Sequence, residues 1–492
     1  MAKQSPVIVW FRDDLRLADH PALTTAVKAG APLVCLYVLD EESRGIRPHG
    51  GASRWWLAQS LRALAASLHE HGHALVLRRG KAADVVPHLA DEVDAAAVHA
   101  NRRYDQAGVA SDNAVAASLE KKGRAWKTHA GNLLAEPGTL RTASGEPIKI
   151  YSAFWKHLRQ AKMREPLRAP QALAAAGKTR VKSDPLDSWG LEPTKPDWAG
   201  GLRKTWTPGE ATARAHLRAF AFDALADYAG ARDRVDHDAT SRLSPHLRFG
   251  EISAAQVWTV CPFAADHPKE RRIAPHAVEK FLSELSWREF AYHTWAENPH
   301  LATQNLRDQF DDFPWRHDTK ALHAWQKGQT GYPLVDAGMR QLWETGWLPN
   351  RVRMVAASLL TKHLLIDWRQ GERWFWDTLV DADPANNPFN WQWVAGTGID
   401  SAPYFRIFNP MLQSEKFDPA GDYIRAQCPE LESLSDRLVH RPWEADADTN
   451  GQRSSDKASG KMSKPYPSPI VDYDAGRKRA LAAYDKLKKS SH

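Results

Sequence analysis

Cysteine is scarce. Cys35, Cys261 and Cys428 are the three in 492 residues, and they lie far apart. That excludes a disulfide scaffold, a zinc ribbon and an iron–sulfur cluster held by four thiolates. Long apolar runs are missing too: nothing approaches the ~20 residues a membrane span needs. The first run, Val7–Phe11, is too short for a signal peptide. A soluble protein of a reducing compartment, the cytoplasm, is the expectation. Neither sign of charge dominates, since 66 Lys+Arg against 59 Asp+Glu leave a net +7. With 25% charged and 43% hydrophobic residues the composition is globular rather than disordered. Phosphate-binding glycine loops are absent. The segment after the first apolar run reads Phe11-Arg12-Asp13-Asp14-Leu15-Arg16, which argues against an ordinary dinucleotide site, and there is no Walker-type loop. His69, His71 and His73 read as a solvated helix end and turn, and no metal site is expected.

What the chain has in excess is tryptophan: 21 in all, 11 of them between Trp287 and Trp393. Such density suits an aromatic helical core or a site for stacking and electron transfer, and density alone does not choose. At about 150 residues per domain the length suggests two to three domains. Residues 1–130 alternate strand and helix. The strands are expected at Val7–Phe11, Leu33–Leu39, Ala74–Leu77, Ala95–His99 and Ala125–Thr128. The helices are expected at Pro21–Ala29, from a Ser53 cap through Leu68, at Ala82–Asp91 and at Ala107–Lys122. That rhythm predicts a doubly wound parallel sheet, an α/β domain. Residues 131–208 are Pro-rich and read as a long surface connector with one helix near Ala153–Met163. Residues 209–487 carry helical periodicity and no strand signal: Ala211–Tyr228, Val278–Glu297, Tyr332–Thr345, Arg351–Trp368 and Glu372–Val380. The second domain is therefore expected to be all-α, with 441–468 as a polar surface loop.

Four segments carry chemistry. Asp238-Ala-Thr240-Ser241-Arg242-Leu243-Ser244-Pro245 gathers three hydroxyls and a guanidinium at a turn before a helix, good for phosphates and equally good for a plain Ser/Thr turn. Glu284, Trp287 and Arg288 share one helix face; they suit a flat polar ligand or a surface ion pair over a half-buried indole. Asn350, Arg351 and Met354 lie near a helix start, off the buried face of Val352, Val355, Ala356, Leu359 and Leu360. Asp381-Ala382-Asp383-Pro-Ala-Asn386-Asn387 precedes Trp391 and Trp393; its Asp-x-Asp is a pattern that divalent metals use, but the Pro and Asn residues suit a plain turn and no lysine-bearing phosphate loop accompanies it, so a metal is discounted.

In this order and spacing the four segments resemble the photolyase/cryptochrome family. So do Trp-Phe-Arg-Asp-Asp-Leu-Arg at 10–16, Thr-Gly-Tyr-Pro-Leu-Val-Asp-Ala-Gly-Met-Arg at 330–340, Trp-Gln-Trp-Val-Ala-Gly-Thr-Gly at 391–398 and Ala-Pro-Tyr-Phe-Arg-Ile-Phe-Asn-Pro at 402–410. The resemblance runs from about Val7 to about Tyr484. It implies an α/β antenna domain followed by a helical domain that binds FAD. Tyr228 and Thr240, Ser241, Arg242, Leu243 and Ser244 would hold its phosphates and ribityl chain. Asp381, Ala382 and Asp383 would face its rings, with Arg353 as an ion-pair partner for Asp381. Glu284 and Arg288 would add cofactor contacts, and Asn387 would stand near the flavin N5.

The resemblance further implies an electron relay through Trp391, Trp368 and Trp315. Its substrate side matches members that repair cyclobutane pyrimidine dimers in UV-damaged DNA. Glu284 would hydrogen-bond the dimer, and Trp287 and Trp393 would wall it. Asn350, Arg351 and Met354 would touch the dimer or its phosphate, and Arg248, Arg288 and Arg406 would add phosphate attraction. The (6-4)-repairing members place histidines where this chain has Asn350 and Met354, while Phe281 stands where some relatives carry Trp. Reduced anionic FAD would be the working form. The Asn386–Asn390 stretch looks like the class III branch, which implies methenyltetrahydrofolate as antenna. Asn101–Asp105 and Asp40–Glu42 are candidate contributors to its site and also suit plain loops. The expectation is a monomeric photolyase with no obligate protein partner; the alternative is a cryptochrome-type blue-light photoreceptor.

Overall fold

The computed structural model describes residues 4–173, 181–267, 272–401, 403–404, 406–448 and 465–490. Two compact units emerge. The first comprises Met1–Ala226, Ser241–Pro299 and Val380–Ala382; the second comprises Asp227–Thr240, His300–Leu379 and Asp383–His492.

The first unit holds a five-stranded sheet: β1 (Val7–Phe11), β2 (Leu33–Leu39), β3 (Leu75–Arg79), β4 (Ala97–Asn101) and β5 (Ala125–His129). The order is β3-β2-β1-β4-β5 and every pairing is parallel. β1 and β2 are continuous apolar runs, buried at every residue, as central strands covered on both faces must be. β5 is an edge strand and reads Ala-Trp-Lys-Thr-His, partly exposed throughout. Ile8, Leu36, Val86, Val98 and Val115 belong to the core between sheet and helices. The expected parallel α/β architecture is present, with strand ends shifted by one or two residues.

One local expectation is corrected. Ser53 does not cap its helix. The helix runs Gly51–Glu70 from an extended Gly50, and Ser53 is buried inside it. Ser53 is the third residue of the helix, too far in for its side chain to reach the unbonded amides of the first turn.

The segment 131–208 is not wholly a surface wrap. Its helix spans Tyr151–Gln160. Beyond it, Trp189, Leu191, Ala199, Leu202 and Trp206 are buried. Asp184 N donates to Leu77 O at 2.8 Å, and Leu77 N donates to Ser183 Oγ at 2.9 Å. The connector thus satisfies the outer edge of β3, which an unpaired edge strand requires. Scattered polar residues hid these anchors because each is a single indole or leucine with no periodic neighbours.

The chain from Glu210 on contains no strand among the described residues. Two helices differ from expectation. The 210–228 stretch is α-helical over Glu210–Ala219, then widens to a π turn at Phe220–Ala224 before a short Tyr228–Ala231 helix. The expected Arg351–Trp368 helix is two. Asn350–Ser358 passes into a π turn at Leu359–His363, and Trp368 opens the next helix, Trp368–Thr378, capped by Asp367 accepting from Arg369 N. Leu365 takes a left-handed φ of 54° between them, so the apolar pattern ran straight through a break. Within the expected 441–468 loop, Trp443–Asp448 is helical, and 449–464 lie outside the described residues.

Candidate functional site

In the first unit, the hydroxyl-rich turn Ser241–Ser244 leads into the short helix Ser244–Arg248. Arg242 sits at φ 49°, a left-handed conformation that a side chain rarely adopts. Ser241 Oγ accepts from Leu243 N at 3.4 Å, and the Ser244 side chain is on the exposed side. Arg248 is buried and donates to Ala382 O at 2.9 Å and to Asp13 Oδ1 at 2.7 Å. It ties the turn to the Val380–Ala382 segment that carries the buried Asp381. Its expected role in DNA-phosphate attraction is therefore corrected: a guanidinium committed inside the protein cannot also face a backbone phosphate.

The long helix Pro275–Glu297 carries Glu284, Trp287 and Arg288 on one half-buried face, as their spacing predicts. Glu284 pairs with Lys280 at 3.2 Å, one turn back. Trp287 stacks on Tyr151 with ring centroids 3.6 Å apart and planes 9° apart. Arg288 pairs with the buried Glu289 at 2.8 Å and lies over Tyr292 at 4.9 Å. Glu289 also accepts from Leu134 N at 2.6 Å. Burial pushes its carboxyl up to about 7, against the pull of Arg288 and the backbone amides.

In the second unit, Tyr228 is buried, with Arg232 over its ring at 5.7 Å, and Thr240 is half-buried. Asn350 is the first residue of its helix and exposed, with Nδ2 3.7 Å from Met354 Sδ. Arg351 pairs with Asp233 at 2.6 Å and lies over Phe417 at 4.6 Å. Arg353 Nε donates to Leu348 O at 3.0 Å. Asp383 is buried and caps the helix Asn386–Ala395. Its Oδ1 accepts from Ala385 N at 2.9 Å, Asn386 N at 2.7 Å and Asn386 Nδ2 at 3.0 Å. Asn387 Nδ2 donates to the main-chain O of Glu372 at 3.0 Å and to its Oε1 at 2.8 Å.

The three relay candidates share this unit. Trp391 is buried and packs on the helix that Trp368 opens. A Cβ on Gly371, one turn after Trp368, would lie 2.1 Å from Trp391 Cη2. Trp368 is fully buried and donates through Nε1 to Asn305 Oδ1 at 2.9 Å. Trp315 is half-buried, 4.5 Å from the Phe313 ring, and its neighbour Arg316 donates N–H to Leu365 O at 2.7 Å, three residues before Trp368. Trp393 leaves the helix on another face than Trp391 and is half-buried, while Arg406 is exposed. Ala402 and Phe405 of the 402–410 motif lie outside the described residues. Glu372, Gly371, Asp233 and Tyr151 escaped the sequence reading. Each is defined by a partner distant in sequence, and none stands in a pattern of its own.

A family model described as the FAD binding domain of DNA photolyase matches residues 281–486, and one described as DNA photolyase matches residues 7–171. A deoxyribodipyrimidine photo-lyase of Agrobacterium fabrum is 49% identical over 490 residues, 99% of either chain. The chain belongs to the photolyase/cryptochrome family. Within the family it is also 35% identical to cryptochrome-1 of Arabidopsis thaliana, over 98% of this chain and 70% of that one. A bacterial class III photolyase structure from Agrobacterium tumefaciens superposes with a TM-score of 0.93 at 48% identity, covering 99% of each chain.

The family's FAD-binding domain is thus present, and the donor set fits the cofactor. Hydroxyls and a guanidinium at 240–244 suit a diphosphate. The carboxylates of Asp381 and Asp383 suit N–H donors of the ring systems. Asn387 offers an amide held in one orientation. Among the described residues no cluster of His, Cys, Asp or Glu suits a metal ion, and no helix is long and apolar enough to cross a membrane.

Proposed function

We propose that this protein is a light-driven deoxyribodipyrimidine photo-lyase of the class III branch, acting on cyclobutane pyrimidine dimers in UV-damaged DNA. The observation that carries the reading is the full-length likeness to an Agrobacterium photolyase in sequence, 49% identical over 99% of the chain, and to an Agrobacterium class III photolyase structure, 48% identical over 99%. It spans every residue assigned below. Domain limits of 1–130, 131–208 and 209–487, a monomeric state without an obligate protein partner and a cytoplasmic location belong to the same reading.

Tyr228, Thr240–Ser244, Asp381, Ala382, Asp383, Arg288, Arg353 and Asn387 would hold FAD. Excited in its reduced anionic form by blue or near-UV light, FAD would supply one electron to the dimer and take it back. The chain's own residues then have three tasks. Glu284 offers a carboxyl hydrogen-bonding group to the extruded bases, and Trp287 and Trp393 give apolar surface for stacking. Asn350, Arg351, Met354 and Arg406 bind the lesion strand, so affinity falls as salt rises. Trp391, Trp368 and Trp315 carry charge between the flavin and the surface. Gly371 supports the first of these contacts by letting Trp391 lie against the Trp368 helix.

The antenna is proposed to be methenyltetrahydrofolate. Near the carboxyl ends of β1 and β4, where the strand order reverses and α/β sheets take ligands, Arg12 and Arg103 share Asp112. Arg12 Nε and Nη2 and Arg103 Nε are buried with no protein acceptor among the described residues. These donors suit the carboxylates of a folate. The test of the whole reading is illumination of the reduced protein with a thymine-dimer oligonucleotide, following absorbance near the thymine band. Light-dependent recovery is expected; none would favour the photoreceptor alternative.

A further inference from the structure

Tyr151 stands outside every segment assigned above, yet it touches the centre of the proposed lesion wall. Its ring lies face to face with Trp287, centroids 3.6 Å apart and planes 9° apart. Its hydroxyl donates to Ser283 O at 2.6 Å, and the Ser283 hydroxyl, 2.7 Å away, supplies a hydrogen in return. Ser283 and Trp287 are four residues apart on one helix, so Tyr151 spans a single turn, and Glu284 lies inside that turn. Phe290 closes the arrangement, 6.0 Å from Tyr151 and at 66° to Trp287 at 5.9 Å. Tyr151 is itself anchored. It opens the Tyr151–Gln160 helix, whose Phe154 is buried 5.1 Å from Phe290 and 4.9 Å from the His293 ring.

A half-buried tryptophan on a helix surface has several staggered side-chain positions. A ring stacked along its full face selects one of them. We infer that Tyr151 is a positioning residue for damage recognition, fixing the plane of the Trp287 indole and the turn that carries Glu284 before DNA arrives. This rests on the reading that Trp287 and Glu284 meet the dimer. Because the ordering is done in the free protein, a flipped dimer loses less on binding. Undamaged duplex, which presents no flipped bases, gains nothing from it.

The test compares Tyr151→Ala, Tyr151→Phe and Trp287→Ala in the FAD-loaded full chain. Each is titrated with a thymine-dimer oligonucleotide and with its undamaged twin. Tyr151→Ala is expected to weaken dimer binding about fivefold to tenfold and to raise KM. Undamaged binding, flavin content and the single-turnover rate at saturating DNA should stay within about twofold. Tyr151→Phe, which keeps the stack, should restore most of the loss. If Tyr151→Ala does not accumulate, Tyr151→Leu removes the flat ring at similar apolar volume and carries the same expectation. Unchanged dimer affinity in the ring-less variant, with Trp287→Ala weakened, would overturn the positioning role. Unchanged affinity in Trp287→Ala itself would instead overturn the lesion-wall reading beneath it.

Discussion

Asn387 and Glu372 are locked together by two hydrogen bonds from a single nitrogen, Nδ2 to the Glu372 main-chain O at 3.0 Å and to Oε1 at 2.8 Å. Both partners are acceptors, so the amide nitrogen must face Glu372, and the Asn387 oxygen is turned the other way. An asparagine beside the flavin N5 would then present an acceptor there. Glu372→Ala removes one of the two bonds that hold this orientation. Flavin content should persist, while the absorbance course of flavin photoreduction should change. An unaltered course would mean that Glu372 does not set the orientation that matters.

Gly371 makes a second prediction. A side chain there would drive a carbon to 2.1 Å from Trp391 Cη2 and 2.7 Å from Leu360 Cδ2. Gly371→Ala should destabilise the fold by about 1–3 kcal/mol through overpacking and slow photoreduction. Trp391→Phe should block photoreduction yet spare repair by protein reduced chemically beforehand. Flash photolysis and a dithionite-reduced repair assay separate the two steps. Normal photoreduction in Trp391→Phe would remove Trp391 from the relay.

Arg351 is held by Asp233 at 2.6 Å while stacked over Phe417. If it also meets a lesion-strand phosphate, Asp233 competes with DNA for it. Asp233→Asn should tighten binding severalfold at low salt. Arg351→Ala should weaken it, with a shallower dependence of log Kd on log salt by about one unit. Equal slopes for wild type and Arg351→Ala would place no phosphate on Arg351.

The buried Glu289 predicts a pH effect on stability. Its folded carboxyl is raised to about 7 from an ordinary 4.5. Below the unfolded value both states are protonated, and the group is neutral to stability. Between the two values the unfolded chain releases its proton first, so stability falls as pH rises, and above about 7 the loss levels off. Relative to Glu289→Gln, the wild-type Tm should decline from pH 5 to pH 7 and then run parallel. A difference independent of pH would show that the carboxyl titrates normally.

Glu284 pairs with Lys280 at 3.2 Å, a partner one turn back on an accessible helix face. Glu284→Ala should therefore cost little stability, about 0.3–0.5 kcal/mol for such a pair, while repair per bound dimer slows. Loss of flavin instead of repair would make Glu284 a cofactor ligand alone.

Some of this was written along the chain. The apolar runs Val7–Phe11 and Leu33–Leu39 fix β1 and β2 because a strand buried on both faces needs no alternation. The spacing of Glu284, Trp287 and Arg288 fixes a shared face because the helical period is local. Other features were decided by contacts between distant residues. The break before Trp368 was invisible because a π turn and a left-handed Leu365 leave the apolar periodicity intact. Arg248 looked like a surface cation until Ala382 O and Asp13 enclosed it. Tyr151 gains its meaning from Trp287, on a helix far along the chain, and Glu372 from Asn387, on the next helix. Periodicity and turn chemistry act over a few residues and can be read in order; a side chain's partner across the core depends on how the helices pack, and only the folded chain specifies it.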